Sequence, residues 1–332
     1  MYKTILTGVV AAAMSSYSLT AHAADVTLNL SNEYSANSVH GQGDQYFADL
    51  VAEKTDGSVE IVVHYGGALG YKSADHFDAV GVGALEIADT YGGALGGIDP
   101  IFLVSSLPFL TTTLDEAESL YGASEPALKK VFEENDQILL YASPWPPSGL
   151  WGKAPLNTVD ALSGVKIRTY DKNGTTAFNS LGAAAVRLSW ADVVPSISTG
   201  AIDAVLTSAE LGAATSFWDY FDHYSEIYQY SIPVNLVHMS KTVFDGLTEE
   251  QQTAILEAAS ETRDRNWAAI PQMVEQTYAD LDENGVTIVQ PSGPEFQAQL
   301  QDAGKLALDE WLESAGEAGQ AIIDDYMSKV SQ

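Results

Sequence analysis

Short strand-like runs alternate with helical runs through the first third of the chain, and this alternation constrains the fold more than any other feature. Apolar and β-branched residues indicate strands over residues 26–30, 58–64 and 83–89. Helical patterns separate these strands, and the second helix is expected over residues 73–82. Strands connected through helices run parallel, and such sheets bind ligands at the carboxyl ends of their strands. The sequence therefore predicts an α/β protein with a largely parallel sheet.

The same alternation resumes after a stiff segment in the middle of the chain. Residues 143–151 hold three prolines and two tryptophans, a composition that suits a crossing between domains. A strand over residues 231–239 is expected to return to the first block, and a capping box at residues 248–251 begins a long helix. Roughly 308 residues (332 minus 24) remain after the N-terminal segment, which is more than one ordinary core organises. Two domains are expected.

The first 24 residues have the pattern of an export signal. Lys3 supplies a positive charge, residues 5–14 form an apolar core, and residues 21–23 (Ala-His-Ala) are typical of a cleavage site. The apolar core is too short to span a membrane. We therefore expect residues 1–24 to be removed and the mature protein to be periplasmic, without direct membrane insertion.

Charge restricts the partners of this chain. It has 15 basic and 45 acidic residues and a net charge of −30. A field of this sign repels nucleic acid and anionic lipid, so neither is expected to bind. An anion site would need concentrated local positive charge.

The sequence lacks the motifs that would indicate chemistry. It has no cysteine, no Gly-x-Ser-x-Gly and no His-Glu-x-x-His. The glycine-rich stretch over residues 90–97 has neither of the two glycine spacings typical of phosphate-binding loops, Gly-x-Gly-x-x-Gly and Gly-x-x-x-x-Gly-Lys-Ser/Thr. It is expected to be a flexible loop. No enzyme, metal or cofactor is predicted; a secreted hydrolase with a carboxylate pair is the remote alternative. The histidines show no metal-ligand spacing: His22, His40, His64, His76, His223 and His238.

Arg168 is the leading candidate for binding. A β-type run over residues 165–167 ends in this arginine, and a polar loop follows. The guanidinium group is a planar, permanently charged fork that can hold a carboxylate through two parallel hydrogen bonds.

From Asp25 to its end, the chain resembles the extracytoplasmic solute-binding subunits of TRAP transporters, the DctP-like family. The matching stretches, in order, are Phe47…Val51…Gly57, Gly67-Ala-Leu-Gly70, Val82-Gly-Ala-Leu-Glu86, Leu107-Pro-Phe109, Leu162-Ser-Gly-Val-Lys-Ile-Arg168, Leu181-Gly-Ala, Trp190-Ala-Asp-Val193 and Thr199-Gly-Ala-Ile-Asp203. The resemblance implies a periplasmic solute-binding (Venus-flytrap) fold, in which two α/β domains joined by crossing strands and a long hinge-spanning helix close around a ligand. The ligand would pass to a membrane permease driven by a cation gradient. Domain I is expected over residues 25–145 plus 233–272, and domain II over 146–232 plus 273–332.

The resemblance also assigns roles to individual residues. It implies that Arg168 clamps the ligand carboxylate and that Trp190 is the aromatic residue against the ligand. Thr207 occupies the position where many members carry Asn after Asp-Gly-Gln-Glu; here residues 203–207 read Asp-Ala-Val-Leu-Thr, a departure. The loops that hold Glu33, Tyr34 and Tyr91 match ligand-facing positions. The second arginine of sugar-acid binders has no counterpart near residues 145–151.

The expected pocket is aromatic, and two kinds of ligand fit it. The expected walls are Tyr34, Tyr91, Trp145, Trp151, Tyr170 and Trp190, with Phe217 or Trp218 as a further candidate. A small carboxylate with an apolar or aromatic body would pair with Arg168. The alternative is an amine-bearing or zwitterionic solute held by Glu33 and aromatic faces. Arg168 and Thr207 are expected to act from one domain while Tyr34 and Tyr91 close from the other.

Overall fold

The computed structural model describes residues 24–330; residues 1–23 of the predicted export signal lie outside this range. The strands are β1 (Val26–Asn32), β2 (Val59–His64), β3 (Ile87–Tyr91), β4 (Gln137–Pro144), β5 (Ser148–Gly152), β6 (Ile167–Thr169), β7 (Val186–Arg187), β8 (Ala204–Ser208), β9 (His223–Ser225), β10 (Val234–Ser240) and β11 (Thr287–Val289). The helices are α1 (Val39–Lys54), α2 (Ser73–Gly81), α3 (Leu114–Glu133), α4 (Val159–Leu162), α5 (Lys172–Ser180), α6 (Val193–Ser198), α7 (Ala209–Ala214), α8 (Lys241–Asp245), α9 (Glu249–Glu283) and α10 (Pro294–Val330).

These strands form two sheets, and the two-domain α/β architecture is confirmed. The first sheet has the order β2-β1-β3-β10-β4, in which β1 is parallel to β2 and β3 while β10 is antiparallel to both of its neighbours. The second has the order β11-β9-β5-β8-β6-β7, with β5 antiparallel to β8 and β9. Two short connections cross between the sheets, from β4 to β5 through residues 145–147 and from β9 to β10 through residues 226–233, and α9 makes a third crossing on the way from β10 to β11.

Separate apolar clusters stabilise the two sheets. In the first, the predicted stripe of α1 places Phe47 and Val51 against strand residues such as Leu30. In the second, Ile167 and Phe178 pack together in one of two clusters. Full burial of such a side chain contributes about 1.5–3 kcal/mol.

Helix α9 joins both halves of the molecule. The predicted capping box is present, because the Thr248 hydroxyl accepts from the Gln251 N–H and the Gln251 side chain accepts from the Thr248 N–H. Ile255, near the start of the helix, packs in the core of the first sheet. Leu281, near its end, packs in a core of the second sheet. Helix α9 is therefore the long hinge-spanning helix that the resemblance implies.

The last helix, α10, also contacts both halves. Leu300 packs against the second sheet's core, whereas Trp311 packs with residues of α3 and donates its indole N–H to the Pro100 carbonyl at 2.6 Å. Gly316 interrupts the helix with a φ of 60°. Every strand of each sheet lies within one of the two residue ranges predicted above. We keep that domain division as a proposal, with α10 packing on both domains. Within residues 24–330, no helix is long and apolar enough to cross a membrane.

Candidate functional site

A small cavity lies between the two sheets, where the loops that follow their strands face each other. Tyr34 follows β1, Tyr91 ends β3, and Thr207 lies near the end of β8. The cavity contains about 320 Å³ of space free of atoms, part of it open to solvent. Its walls are Tyr34, Tyr91, Trp145, Ser148, Arg168, Tyr170, Trp190, Thr207, Ser208, Leu211 and Pro233.

Seven of the nine residues proposed from the sequence line this cavity: Tyr34, Tyr91, Trp145, Arg168, Tyr170, Trp190 and Thr207. Sequence reasoning missed Ser148, Ser208, Leu211 and Pro233. Ser208 had a usable signal, because it follows a predicted strand and its hydroxyl accepts from the Leu211 N–H to cap α7. Ser148 and Pro233 lie at the crossings between the sheets, where the sequence indicated a hinge but no ligand contact.

Arg168 is a buried cation without an acidic partner in the part of the chain that the structure describes. Its side chain donates from Nε to the Leu188 carbonyl (3.0 Å) and from Nη1 to the Leu206 carbonyl (3.2 Å). It is 4% exposed, and among residues 24–330 no carboxylate lies within ion-pair distance of it. A guanidinium group has five N–H donors, so others remain for a ligand. Burial lowers the pKa of Arg168 from its usual value, which reflects the cost of an uncompensated charge.

Aromatic rings surround this cation and form the walls of the cavity. The guanidinium carbon lies 5.5 Å from the ring centre of Trp190 and 5.9 Å from that of Tyr170. On the opposite side, Tyr34 packs edge-on against Trp145 with ring centres 4.8 Å apart. These faces offer an apolar surface to the body of a small ligand.

Trp151 does not belong to this wall, and the expectation that it faces the ligand is corrected. Its side chain is fully buried in a core of the second sheet, beside Phe217 and Tyr224. Its indole N–H donates to the Ser208 carbonyl at 3.2 Å. Successive side chains of a strand point to opposite faces, and the face of Trp151 is an apolar core. It thus supports the cavity from behind.

Neither Phe217 nor Trp218 lines the ligand cavity. Phe217 is fully buried and stacks behind Trp190, with ring centres 5.7 Å apart. Trp218 borders a different groove, beside α9. Phe217 therefore orients Trp190 without reaching the ligand space.

Glu33 is buried but already has partners. One carboxylate oxygen accepts from the Ser73 N–H and the other from the Ala191 N–H, each at 3.0 Å. Ser73 begins α2 on the side of the first sheet, whereas Ala191 lies on the side of the second. Glu33 borders an adjoining outer cavity. Its geometry suits a bridge across the cleft better than an ammonium site.

Two further bonds join the two sides of the cleft. The Tyr91 hydroxyl donates to Asp171 Oδ2 at 2.7 Å, and burial raises the pKa of Asp171. Lys72 forms an ion pair with Asp192 at 2.8 Å near the surface. The structure therefore shows the closed arrangement of the cleft.

The glycine-rich stretch is ordered, which corrects the expectation of a flexible loop. Residues 92–95 form a buried 3-10 turn. A Cβ at Gly93 would meet Asp171 Oδ2 at 2.7 Å, so glycine is required for the close approach of the two sides.

Sequence comparison identifies the family that has this arrangement. The profile of the family described as bacterial extracellular solute-binding protein, family 7 (DctP) matches residues 30–314. The chain belongs to this family. It is a TRAP solute receptor, and the family and its relatives are solute-binding proteins, which confirms that the chain is not an enzyme.

Three relatives illustrate the similarity. DctP7 of Bordetella pertussis, an extracytoplasmic solute receptor binding pyroglutamic acid, is 30% identical, with a TM-score of 0.86 and coverage of 90% of this chain and 99% of that chain. A marine metagenome TRAP solute-binding protein specific for pyroglutamate is 27% identical, with a TM-score of 0.86 over 91% and 98% of the two chains. A solute-binding protein of Chromohalobacter salexigens is 26% identical over 266 residues, 79% of each chain.

Proposed function

We propose that this receptor captures a small carboxylate with a compact body, of the pyroglutamate class, in the periplasm and delivers it to its own TRAP permease. The observation that carries the proposal is the buried charge of Arg168, which has no acidic partner in the described chain and faces a cavity with aromatic walls. A ligand carboxylate would supply the missing countercharge and accept the remaining N–H donors. Removal of residues 1–24 would accompany export to the periplasm.

The relatives support this choice of ligand class. The structures that share 27–30% identity with this chain bind pyroglutamate. Neighbours that bind galacturonate or glucuronate are 19–23% identical and support the fold alone. The largely apolar walls of the cavity also suit a compact ring acid better than a sugar acid with many hydroxyl groups.

The rest of the cavity offers suitable partners for such a ring. The faces of Tyr34, Trp145 and Trp190 would contact its methylene groups, and the hydroxyls of Thr207 and Ser208 would accompany its polar edge. The amine-bearing alternative has less support, because both oxygens of Glu33 already accept backbone hydrogen bonds.

A thermal-shift screen of the mature chain tests the proposal. The compounds are pyroglutamate, galacturonate, choline and 2-pyrrolidinone, which is the pyroglutamate ring without its carboxylate. A ligand that binds only the folded state raises the melting temperature as its concentration exceeds Kd. We expect a clear rise with pyroglutamate and little with 2-pyrrolidinone. Equal rises with both compounds, or none with any carboxylate, would rule the proposal out.

A further inference from the structure

A second cavity lies behind the ligand cavity, where the chain crosses between the sheets. It contains about 1010 Å³ of space free of atoms, part of it open to solvent. Ser148 lines both cavities. Both short crossings contribute to the walls, through residues 146–148 and 226–229, and Tyr278 of α9 closes another side. We call it the hinge cavity.

The walls of the hinge cavity combine aromatic rings with carboxylates. Tyr224, Tyr228 and Tyr278 contribute rings, and Glu210 and Glu226 contribute the charges. Within the described chain, no lysine or arginine is among its wall residues. Aromatic faces and carboxylates together attract cations, and ammonium groups with apolar substituents use both.

Glu210 has a capacity that the protein leaves unused. Its side chain is 6% exposed, and Oε1 accepts from the Val39 N–H at 2.9 Å, which holds the carboxylate in place. Oε2 is buried and has no hydrogen-bond partner within residues 24–330. A buried carboxylate without a countercharge is costly, and burial raises the pKa of Glu210 to about 7.

Glu226 adds a second negative charge on the other side of this space. It is partly buried, and its Oε1 accepts from the Tyr278 hydroxyl at 2.6 Å, which fixes the ring of Tyr278 beside the carboxylate. The hydroxyl of Tyr228 is similarly held by the Gly293 carbonyl at 2.8 Å. The rings are therefore held in place before a ligand arrives, which reduces the entropy cost of binding.

We infer that the hinge cavity binds a small organic cation, an ammonium group with apolar substituents, at a site separate from the carboxylate site. The cation lies between Glu210 and Glu226 and against the tyrosine faces. This site does not depend on the proposed ligand of Arg168.

The test compares choline with 3,3-dimethylbutan-1-ol, a neutral molecule of nearly the same shape, by thermal shift and isothermal titration on the mature chain. Sodium chloride at the same concentration controls for general screening of the net charge of −30. We expect choline to raise the melting temperature more than either control. A rise that sodium chloride or the neutral alcohol reproduces would overturn the inference.

Three glutamine variants locate the effect. Glu210→Gln keeps an oxygen for the Val39 N–H, and both it and Glu226→Gln should raise the Kd for choline about tenfold or more. Glu275→Gln removes the same charge from an exposed position on α9 and should leave the Kd unchanged. Arg168→Ala should also leave choline binding unchanged, which separates this site from the carboxylate site. Choline affinity that survives both cavity variants would contradict the assignment.

Discussion

This protein has two buried charged regions, one beside each sheet, and it accommodates their charges in opposite ways. Beneath the first sheet, Asp44 and Asp89 lie together, and each accepts a hydrogen bond from an asparagine: Asn32 donates to Asp44 at 2.6 Å and Asn235 to Asp89 at 2.8 Å. Burial raises the pKa of both carboxyls, that of Asp89 to about 7, so the pair is held partly neutral. Arg168 keeps its charge and has no acidic partner in the described chain.

The difference separates structural from functional burial. The protein supplies the acidic pair with hydrogen bonds from its own amides, and burial favours the protonated form of both carboxyls. For Arg168, we propose that a ligand carboxylate supplies the countercharge. A buried charge that lacks a partner and borders a cavity is therefore the better indicator of a binding site.

The largest expected effect is on ligand binding by Arg168 variants. Arg168→Ala should weaken pyroglutamate by about 2–5 kcal/mol, because the ligand carboxylate loses its charged partner. Arg168→Lys should recover only part of this, because lysine lacks the planar fork. Isothermal titration measures both. Arg263→Ala, which removes an arginine paired with Glu118 far from the cavity, is the control; an equal loss there would undo the comparison.

Removing a hydrogen-bond partner of the acidic pair should lower the stability of the protein. Asn235→Ala removes the donor to Asp89 and the acceptor of the Trp145 indole N–H, which lies at 2.7 Å. Loss of buried partners should lower the free energy of unfolding by about 1–3 kcal/mol, measured in urea. The exposed Asn135→Ala should cost less. Arg168→Ala should cost less than Asn235→Ala, because removing an uncompensated cation offsets the loss of its two carbonyl partners, and a larger loss there would reverse the account.

The pH dependence of stability sharpens the same contrast. The pKa of Asp89 is raised in the folded state from about 3.8 to about 7, so the folded protein holds a proton that the unfolded chain releases between these values. The contribution of this group is therefore full below about pH 3.8 and is lost as the pH rises towards 7. Relative to Asp89→Asn, the wild-type protein should lose stability across this window in urea titrations at several pH values. A difference that stays constant with pH would contradict the raised pKa.

Smaller effects are expected from the contacts that bridge the cleft. Glu33→Gln can keep only one of its two backbone N–H partners as an acceptor, so the closed form should lose about 1 kcal/mol and pyroglutamate affinity should fall by less than tenfold. If Glu33 instead binds ligand amines, the variant would change choline or betaine binding and leave pyroglutamate unaffected.

The exposed bridge should matter least. Lys72→Met removes the ion pair with Asp192, in which both side chains are largely solvated, so pyroglutamate affinity should change by about 0–1 kcal/mol and less at high salt. Isothermal titration at low and high salt measures this. A loss as large as that of Arg168→Ala would assign the binding energy to the rim.

Much of the fold was predictable because the hydrophobic periodicity of an element and the residues that begin or end it are local properties of the sequence. The strand–helix alternation, the stripe of Phe47 and Val51 and the cap at Thr248 all depend on near neighbours in the chain. The order of the strands within the first sheet could not be predicted, because β10 inserts between β3 and β4 through contacts between distant segments. The ordered turn at Gly93 depends on Asp171 across the cleft, which no local pattern reveals.

The site was predictable where resemblance supplied position and less so where it supplied only residue type. Arg168 and Trp190 were located by their motifs. Trp151 was chosen as an aromatic residue near the crossing, and the face of β5 on which it lies could not be known before the sheet was assembled. Glu33 was proposed as a ligand-facing loop carboxylate, and its backbone partners Ser73 and Ala191 could not be predicted because they lie 40 and 158 residues away.

The central claim is that Arg168 pairs with the carboxylate of the ligand, and a double-mutant cycle by isothermal titration tests it most directly. The cycle measures pyroglutamate and 2-pyrrolidinone on the wild-type protein and on Arg168→Ala. We predict that the substitution brings pyroglutamate down to the affinity of 2-pyrrolidinone and leaves 2-pyrrolidinone unchanged. Equal losses for both ligands would show that Arg168 supports the cavity without pairing with the carboxylate.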